Sequence, residues 1–275
     1  MLRRQPLSAY ADLMQNKPSA RFTRPEHIEM ELVTVAYRNR SFPMHMHDQY
    51  VVGMMEKGSE TLHLEGTAYL VEEGDLITIN PGLAHSNSSL ADEVLEYRVF
   101  YLPPDLVRRY TGLSGLYFGA PTRTDTLTSR KLLDLHRWFE NGGGDRLEQE
   151  TAFAEIIGLA FDGADEIESV PKSPETVKRA RCFLDDNYHE TFGLDAVARI
   201  AGVSKFHLVR SFKKTHGLSP FAYRTHRRIE EAKRRVLAGE GLAKIATDLG
   251  FSDQSHLTRT FQSIVGISPA RYGEQ

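Results

Sequence analysis

Phe206, Val209, Arg210 and Lys213 fall at i, i+3, i+4 and i+7, which on a helix makes one stripe. Farther along, Gln254, Ser255, Thr258, Arg259 and Gln262 make a second. Arginine, glutamine, serine and threonine bond to base edges or phosphate oxygens, and Lys213 and Lys214 can neutralise phosphates. Ser204 and Lys205, just ahead of the first stripe, complete that candidate surface. A different chemistry is offered by His45, His47 and His85, three imidazoles able to ligate a divalent metal or to hydrogen-bond an organic ligand, with Tyr50 and Tyr97 as further polar contacts. A single polar stripe is more often a solvated helix face than a reader of nucleic acid, so the elements carrying the stripes must decide.

Those elements occur twice. Ala201-Gly202-Val203-Ser204, His207-Leu208, Arg210 and Phe212 return 48 to 49 residues later as Leu249-Gly250-Phe251-Ser252, His256-Leu257, Arg259 and Phe261. The echo runs on through Gly217-Leu218-Ser219-Pro220 with Tyr223, against Gly266-Ile267-Ser268-Pro269 with Tyr272. In each copy apolar residues at helical spacing (Leu194, Val197, Ala198, Ala201; then Leu242, Ile245, Ala246, Leu249) stop at a glycine. A capping residue follows, Ser204 in one copy and Ser252 or Asp253 in the other, and opens a second helix whose inner face carries Leu208 and Phe212, or Leu257 and Phe261. Helix, short glycine-containing turn, helix is the plan of DNA-binding helix-turn-helix units, predicted here over 194–215 and 242–265. Between them Ser219-Pro220 starts a helix predicted to run over 220–238, about 28 Å long and close to the ~34 Å repeat of the major groove.

The charge distribution agrees. The chain has 275 residues and a net charge of −3, but residues 172–275 carry 18 Lys+Arg against 11 Asp+Glu, while residues 1–171 carry 16 against 26. The second half is therefore basic, with Arg224, Arg227, Arg228, Lys233, Arg234 and Arg235 along the connecting helix suited to a polyanion.

From about Ser173 to Gln275 the chain resembles the DNA-binding domain of the AraC/XylS family of bacterial transcription regulators. The resemblance rests on the run Gly250-Phe251-Ser252-Asp253-Gln254-Ser255-His256-Leu257-Thr258-Arg259-Thr260-Phe261 and on Gly266-Ile267-Ser268-Pro269-Ala270-Arg271-Tyr272. It implies base contacts from Phe206, Val209 and Arg210 in the first reading helix and from Gln254, Ser255, Thr258 and Arg259 in a weaker second one. Val209 departs from the polar residue often found there, which suits contact with a thymine methyl.

Residues 28–102 have another texture. Short apolar or alternating runs at Ile28–Tyr37, Tyr50–Met55, Glu60–Leu64, Thr67–Val71, Leu76–Ile79 and Val94–Leu102 are punctuated by glycine and proline turns, as in a sandwich or barrel. His45-Met46-His47, and Gly74-Asp75-Leu76 leading to Asn80-Pro81-Gly82 and His85, resemble the two cupin motifs of AraC-type effector domains. On a strand His45 and His47 share a face, and the cupin resemblance brings His85 to them. The acidic residue that usually completes a cupin metal site is absent, Val51 and Val52 standing in its place, so the reading favours no metal and no cofactor, with His45, His47, Tyr50, His85 and Tyr97 as effector contacts. Arg98 is expected to be an outward surface charge. Two helical stretches, Thr126–Glu140 and Asp145–Asp162, carry broad apolar faces that suit packing on the barrel or on a second subunit.

The sequence thus predicts an α+β multidomain chain, an N-terminal cupin-like β-barrel plus helical pair followed by a C-terminal all-α double helix-turn-helix. The expected divisions are a mobile arm over 1–20, the barrel over 21–105, the helical packing or dimerisation segment over 106–163, a linker over 164–175 and the DNA-binding domain over 176–275. One cysteine, Cys182, rules out an internal disulfide framework and fits a reducing cytoplasm. There is no run of 18 apolar residues, and Met1-Leu2-Arg3-Arg4-Gln5-Pro6 lacks a signal-like apolar core. The expected function is sequence-specific DNA-binding transcriptional regulation modulated by a small-molecule effector, not enzymatic. Its expected partners are promoter double-stranded DNA, RNA polymerase, the effector and a second copy in a homodimer, without a membrane; its expected location is the cytoplasm, on the nucleoid when bound to DNA. The alternative is a metal-dependent cupin enzyme, using His45, His47 and His85, tethered to DNA.

Overall fold

The computed structural model describes residues 19–90, 94–166 and 174–275. Most of the expected arm and the middle of the expected linker lie outside the described residues. The described residues form two compact units, each taken by itself. Among them no helix is long and apolar enough to cross a membrane.

The strands are β1 (Ser19–Thr23), β2 (Glu31–Tyr37), β3 (Ser41–His45), β4 (Tyr50–Lys57), β5 (Glu60–Leu64), β6 (Thr67–Val71), β7 (Asp75–Ile79), β8 (His85–Ser89) and β9 (Leu95–Leu102), all in the first unit except that Phe42–Met46 belong to the second. Then come α1 (Pro104–Thr111), β10 (Leu116–Tyr117), β11 (Thr122–Thr124), α2 (Thr126–Glu140), α3 (Arg146–Ala160) and β12 (Asp165–Glu166). The strands of the first unit form a six-stranded sheet in the order β1-β2-β9-β4-β7-β11, a small sheet in which β5 pairs with β6 and β8, and the pair β10-β12. Ser19 and Ala20, expected in the arm, belong to β1, and Asp165-Glu166, expected in the linker, pair with Leu116-Tyr117.

Alternation sorts the large sheet into two faces. On one, Leu32, Tyr50, Val52, Met54, Leu76, Phe100 and Leu102 pack against Leu132, Leu133, Phe139, Phe153, Ile156 and Ile157 of α2 and α3. Each such fully buried side chain contributes about 1.5–3 kcal/mol. The helical pair therefore covers its own sheet, the first of the two placements its apolar faces allow. Its helices start where the sequence caps them: Asp125 accepts from Thr128 N at 3.0 Å, and Asp145 and Glu148 form a reciprocal capping box.

Arg98 lies on this helix-facing side. Instead of a surface charge it is a bracket, donating through Nε to Glu56 at 2.7 Å, through Nη1 to Thr34 Oγ1 at 3.0 Å, and to Glu140 of α2. Burial alone would raise Glu140, but hydrogen bonds from His136 and Thr34 and the charge of Arg98 hold its carboxyl at about 2.

The second unit is helical: α4 (Glu175–Asn187), α5 (Leu194–Ala201), α6 (Lys205–His216), α7 (Pro220–Leu237), α8 (Leu242–Asp248), α9 (Gln254–Val265) and α10 (Pro269–Gly273). The repeat seen in the sequence is a repeat of contacts. Ser204, Ser219, Asp253 and Ser268 each accept a backbone N–H three residues on, at 3.2, 3.2, 2.7 and 3.3 Å. Gly202 and Gly250 turn the chain at φ 72° and 71°, in the left-handed region that favours glycine. Phe212 meets Tyr223 edge to face at 5.4 Å, and Phe261 meets Tyr272 at 5.5 Å.

The basic residues of α7 are mostly committed within the unit. Arg228 donates to the carbonyls of Tyr188, Gly250 and Glu190 at 2.6, 2.7 and 3.1 Å. Arg235 pairs with Glu240 and Asp248 at 2.6 and 2.5 Å, Arg234 with Glu231, Lys233 with Glu230 and Arg227 with Asp185. The connecting helix is thus less a polyanion surface than its composition suggests, because internal carboxylates and carbonyls already use these cations.

Candidate functional site

The outward stripe of α6 is set by the capped start at Ser204 and by the burial of Leu208 and Phe212 on the opposite side. Arg210, Lys213 and Lys214 are exposed, Phe206 is 77% exposed and Val209 half-buried. Among the described residues Arg210, Lys213 and Lys214 have no hydrogen-bond or ion-pair partner, in contrast to the cations of α7. Lys205 is already engaged, its Nζ lying 3.0 Å from Asp195, and the Ser204 hydroxyl is occupied as a cap. On α9 the capping residue is Asp253; Gln254, Ser255 and Arg259 are exposed and Thr258 half-buried, with Leu257 and Phe261 inside. Cations free of internal partners on a capped, rigid helix are placed to meet phosphates and base edges without first breaking an ion pair.

The other face of the large sheet looks toward the small one, and here the polar candidates gather. β2 contributes Tyr37, and β9 Tyr97 and Tyr101, in phase with Val33, Val35 and Val99. In the small sheet Glu60, Leu62 and Leu64 lie opposite Ser89, Asn87 and His85. Across the space between the sheets, Tyr37 donates to Glu60 at 3.0 Å and Asn87 Nδ2 donates to the same oxygen at 2.9 Å. At the far end the His47 ring lies 5.3 Å from His85 and 4.7 Å from Tyr101, centroid to centroid. Gly82 N–H fixes that loop by donating to His47 O at 2.7 Å.

Tyr50 does not join this group. Its hydroxyl donates to Leu116 O at 2.7 Å, and its ring packs on Phe118 and Phe161 in the helix-facing core. It pairs directly with Leu102, whereas Tyr97 and Tyr101 stand on the opposite pleat.

β3 ends at His45, so His47 sits in the following loop and the two do not share a strand face as expected. His45 falls in the second compact unit, and His47 and His85 in the first. His45 Nδ1 faces Pro43 O at 2.8 Å and His85 Nδ1 faces Leu83 O at 3.2 Å, so a proton on each Nδ1 leaves Nε2 as the lone-pair nitrogen.

Glu60, Tyr37, Asn87 and Tyr101 are the chamber residues that sequence reasoning missed. Their signal was phase: Glu60 occupies the apolar beat of Glu60-x-Leu62-x-Leu64, and Asn87 shares a face with His85.

Comparison with known proteins places both units. Residues 27–157 match the family model described as an AraC-like ligand binding domain, and residues 197–275 match a helix-turn-helix domain. Over 256 residues the chain is 32% identical to a Bacillus subtilis (strain 168) protein named as an uncharacterized HTH-type transcriptional regulator, YbfI, spanning 89% of this chain and 91% of that one. It is 24% identical to the HTH-type transcriptional activator RhaS of Escherichia fergusonii, over 83% and 86% of the two chains. Among solved structures, ToxT from Vibrio cholerae strain SCE256 shares the fold with a TM-score of 0.60 at 14% identity, over 90% of this chain and 96% of that one. The chain belongs to the AraC family, as a helix-turn-helix DNA-binding transcriptional regulator with a ligand-binding domain.

Proposed function

We propose that this regulator reads a two-part promoter element through α6 and α9, with Ser204, Lys205, Phe206, Val209, Arg210, Lys213 and Lys214 on the first and Gln254, Ser255, Thr258 and Arg259 on the second. The observation that carries the reading is the cluster of exposed, unpartnered cations Arg210, Lys213 and Lys214 on a capped helix, in a unit whose other cations are mostly committed internally. Lys205 and Ser204 contribute through what their internal bonds leave free. A small-molecule effector occupies the chamber between the sheets, held by His47, His85 and Tyr97 together with Tyr37, Glu60, Asn87 and Tyr101. The ToxT structure carries an unsaturated fatty acid, which supports control by ligand in proteins of this fold. An effector that prefers one conformation shifts the population toward it and so changes engagement with DNA. The regulator acts in the cytoplasm, as a homodimer and together with RNA polymerase.

The test is capture of genomic fragments by the purified protein at physiological salt. A few promoters sharing two short elements about one helical turn apart are expected. Salt-sensitive retention of all fragments alike would show a basic tether and not a reader.

A further inference from the structure

The helical unit contains a cavity of about 220 Å³ between α4, α5, α6 and α7. Its walls are apolar, formed by Leu184, Phe192, Leu194, Val197 and Val209. One charged group lines it, Arg224 of α7. Its guanidinium carbon lies 5.0 Å from the ring centroid of Phe192 and 5.7 Å from that of Phe221, so the cation lies over both rings.

Arg224 differs from its neighbours on α7. Arg227, Lys233, Arg234 and Arg235 each have a carboxylate, and Arg228 has three carbonyls. Among the described residues Arg224 has neither, and its Nε is buried without a hydrogen-bond partner. Burial is the one influence that moves its guanidinium, downward from the ordinary arginine value. Arg224 as a whole is half-buried, but an N–H withdrawn from water, as its Nε is, is costly unless an acceptor meets it. The same cavity is bordered by Gly193, the N-cap of α5, which has no side chain to cap the first turn, whereas α6, α7, α9 and α10 are all capped by side chains. The positive end of α5 thus adds to the preference of Arg224 for negative charge.

We propose that this cavity is a second ligand site, in the DNA-binding unit itself, for a small aromatic carboxylate: the carboxylate on Arg224, the ring between the apolar walls. The size fits, since a cavity of about 150 Å³ admits benzene, and one half as large again admits a fused or substituted ring. A ligand seated there touches Val209 and therefore bears on α6, the helix proposed to read DNA.

The site is tested by isothermal titration of the full chain with 2-naphthoate, with 2-naphthalenemethanol as the uncharged counterpart. Saturable binding of one equivalent is expected for the acid, and at least about tenfold weaker binding for the alcohol, the size of a charge-assisted hydrogen bond. Arg224→Gln should weaken the acid by a similar factor and Arg224→Lys by less. Gly193→Leu should block the cavity, and a side chain there is tolerated because an added Cβ meets nothing within 4 Å. Melting curves of both variants matching wild type establish that the unit is folded. No saturable binding of the acid overturns the proposal, and so does binding that folded Arg224→Gln and Gly193→Leu leave unchanged, which would place the acid elsewhere, as in the chamber between the sheets. The readout involves no DNA, so its failure leaves the operator reading untouched.

Discussion

Tyr37 donates its phenolic hydrogen to Glu60 at 3.0 Å, joining β2 of the large sheet to β5 of the small one. Burial raises the Glu60 carboxyl to about 7, against the pull of the hydrogen bonds from Asn87 and Tyr37. The folded group therefore keeps its proton to higher pH than the unfolded one, and its contribution to stability is lost as pH rises from the ordinary carboxylate value through about 7. Glu60→Gln removes that loss. Relative to wild type the variant should gain about 2–3 kcal/mol between pH 5 and pH 8, read from melting temperatures of the first unit. Buried His136 of the same unit titrates in the opposite sense in both proteins, so the difference between the curves is the quantity to measure. Parallel curves would remove the protonated carboxyl from the account.

The bracket around Arg98 gives a second test. Arg98→Met leaves Glu140 and Glu56 partly buried without their main cation and should cost the first unit about 2–4 kcal/mol. The double variant Arg98→Met with Glu140→Gln should recover part of that loss. Trp138, the single tryptophan, lies on α2 and reports the undocking directly in urea titrations. A single variant as stable as wild type would show that the apolar interface alone holds α2.

The two turn glycines are not equivalent. A Cβ on Gly250 would come within 2.8 Å of His189 O and 2.6 Å of Arg228 Nη2, whereas on Gly202 its nearest neighbour is Arg179 Nη2 at 3.6 Å. Gly202→Ala should cost about 1 kcal/mol, the price of a left-handed non-glycine residue, and Gly250→Ala at least about 2 kcal/mol, since it also displaces the Arg228 network. Chemical denaturation of the helical unit orders the two; the reverse order would discard the Arg228 argument.

On DNA, Arg210→Ala should weaken the specific site by about 1–3 kcal/mol and relax preference at one position. Lys213→Ala should weaken all sequences alike and reduce the salt slope by about one. Fluorescence anisotropy at several salt concentrations separates the two effects, and unchanged specific affinity in Arg210→Ala would displace α6 from the proposed role.

The helical unit was legible because each of its devices is local. Ser204, Ser219 and Ser268 are capping residues, Gly202 and Gly250 stand at the turns, and the phenylalanine–tyrosine pairs repeat with them. The sheets were less so. β8, His-Ser-Asn-Ser-Ser, lacks the apolar alternation of a strand, and it is pairing with β5 that makes it one. Tyr50 was misplaced because β4 is apolar on both faces, one turned to the chamber and one to the helices, so hydropathy does not mark which side is which. Arg98 was misjudged for the same reason: a charge outside the barrel need not be in water when helices cover that side.

The repeat also differs where the two copies face outward. α6 carries Phe206, Arg210, Lys213 and Lys214, and α9 carries Gln254, Ser255 and Arg259, with α7 fixing their order along the chain. Regulators built as two-fold dimers of one reading helix mirror their own symmetry in palindromic sites. One copy of this chain has a head and a tail instead, so the element it reads has a direction, and the same bases turned end for end are a different instruction.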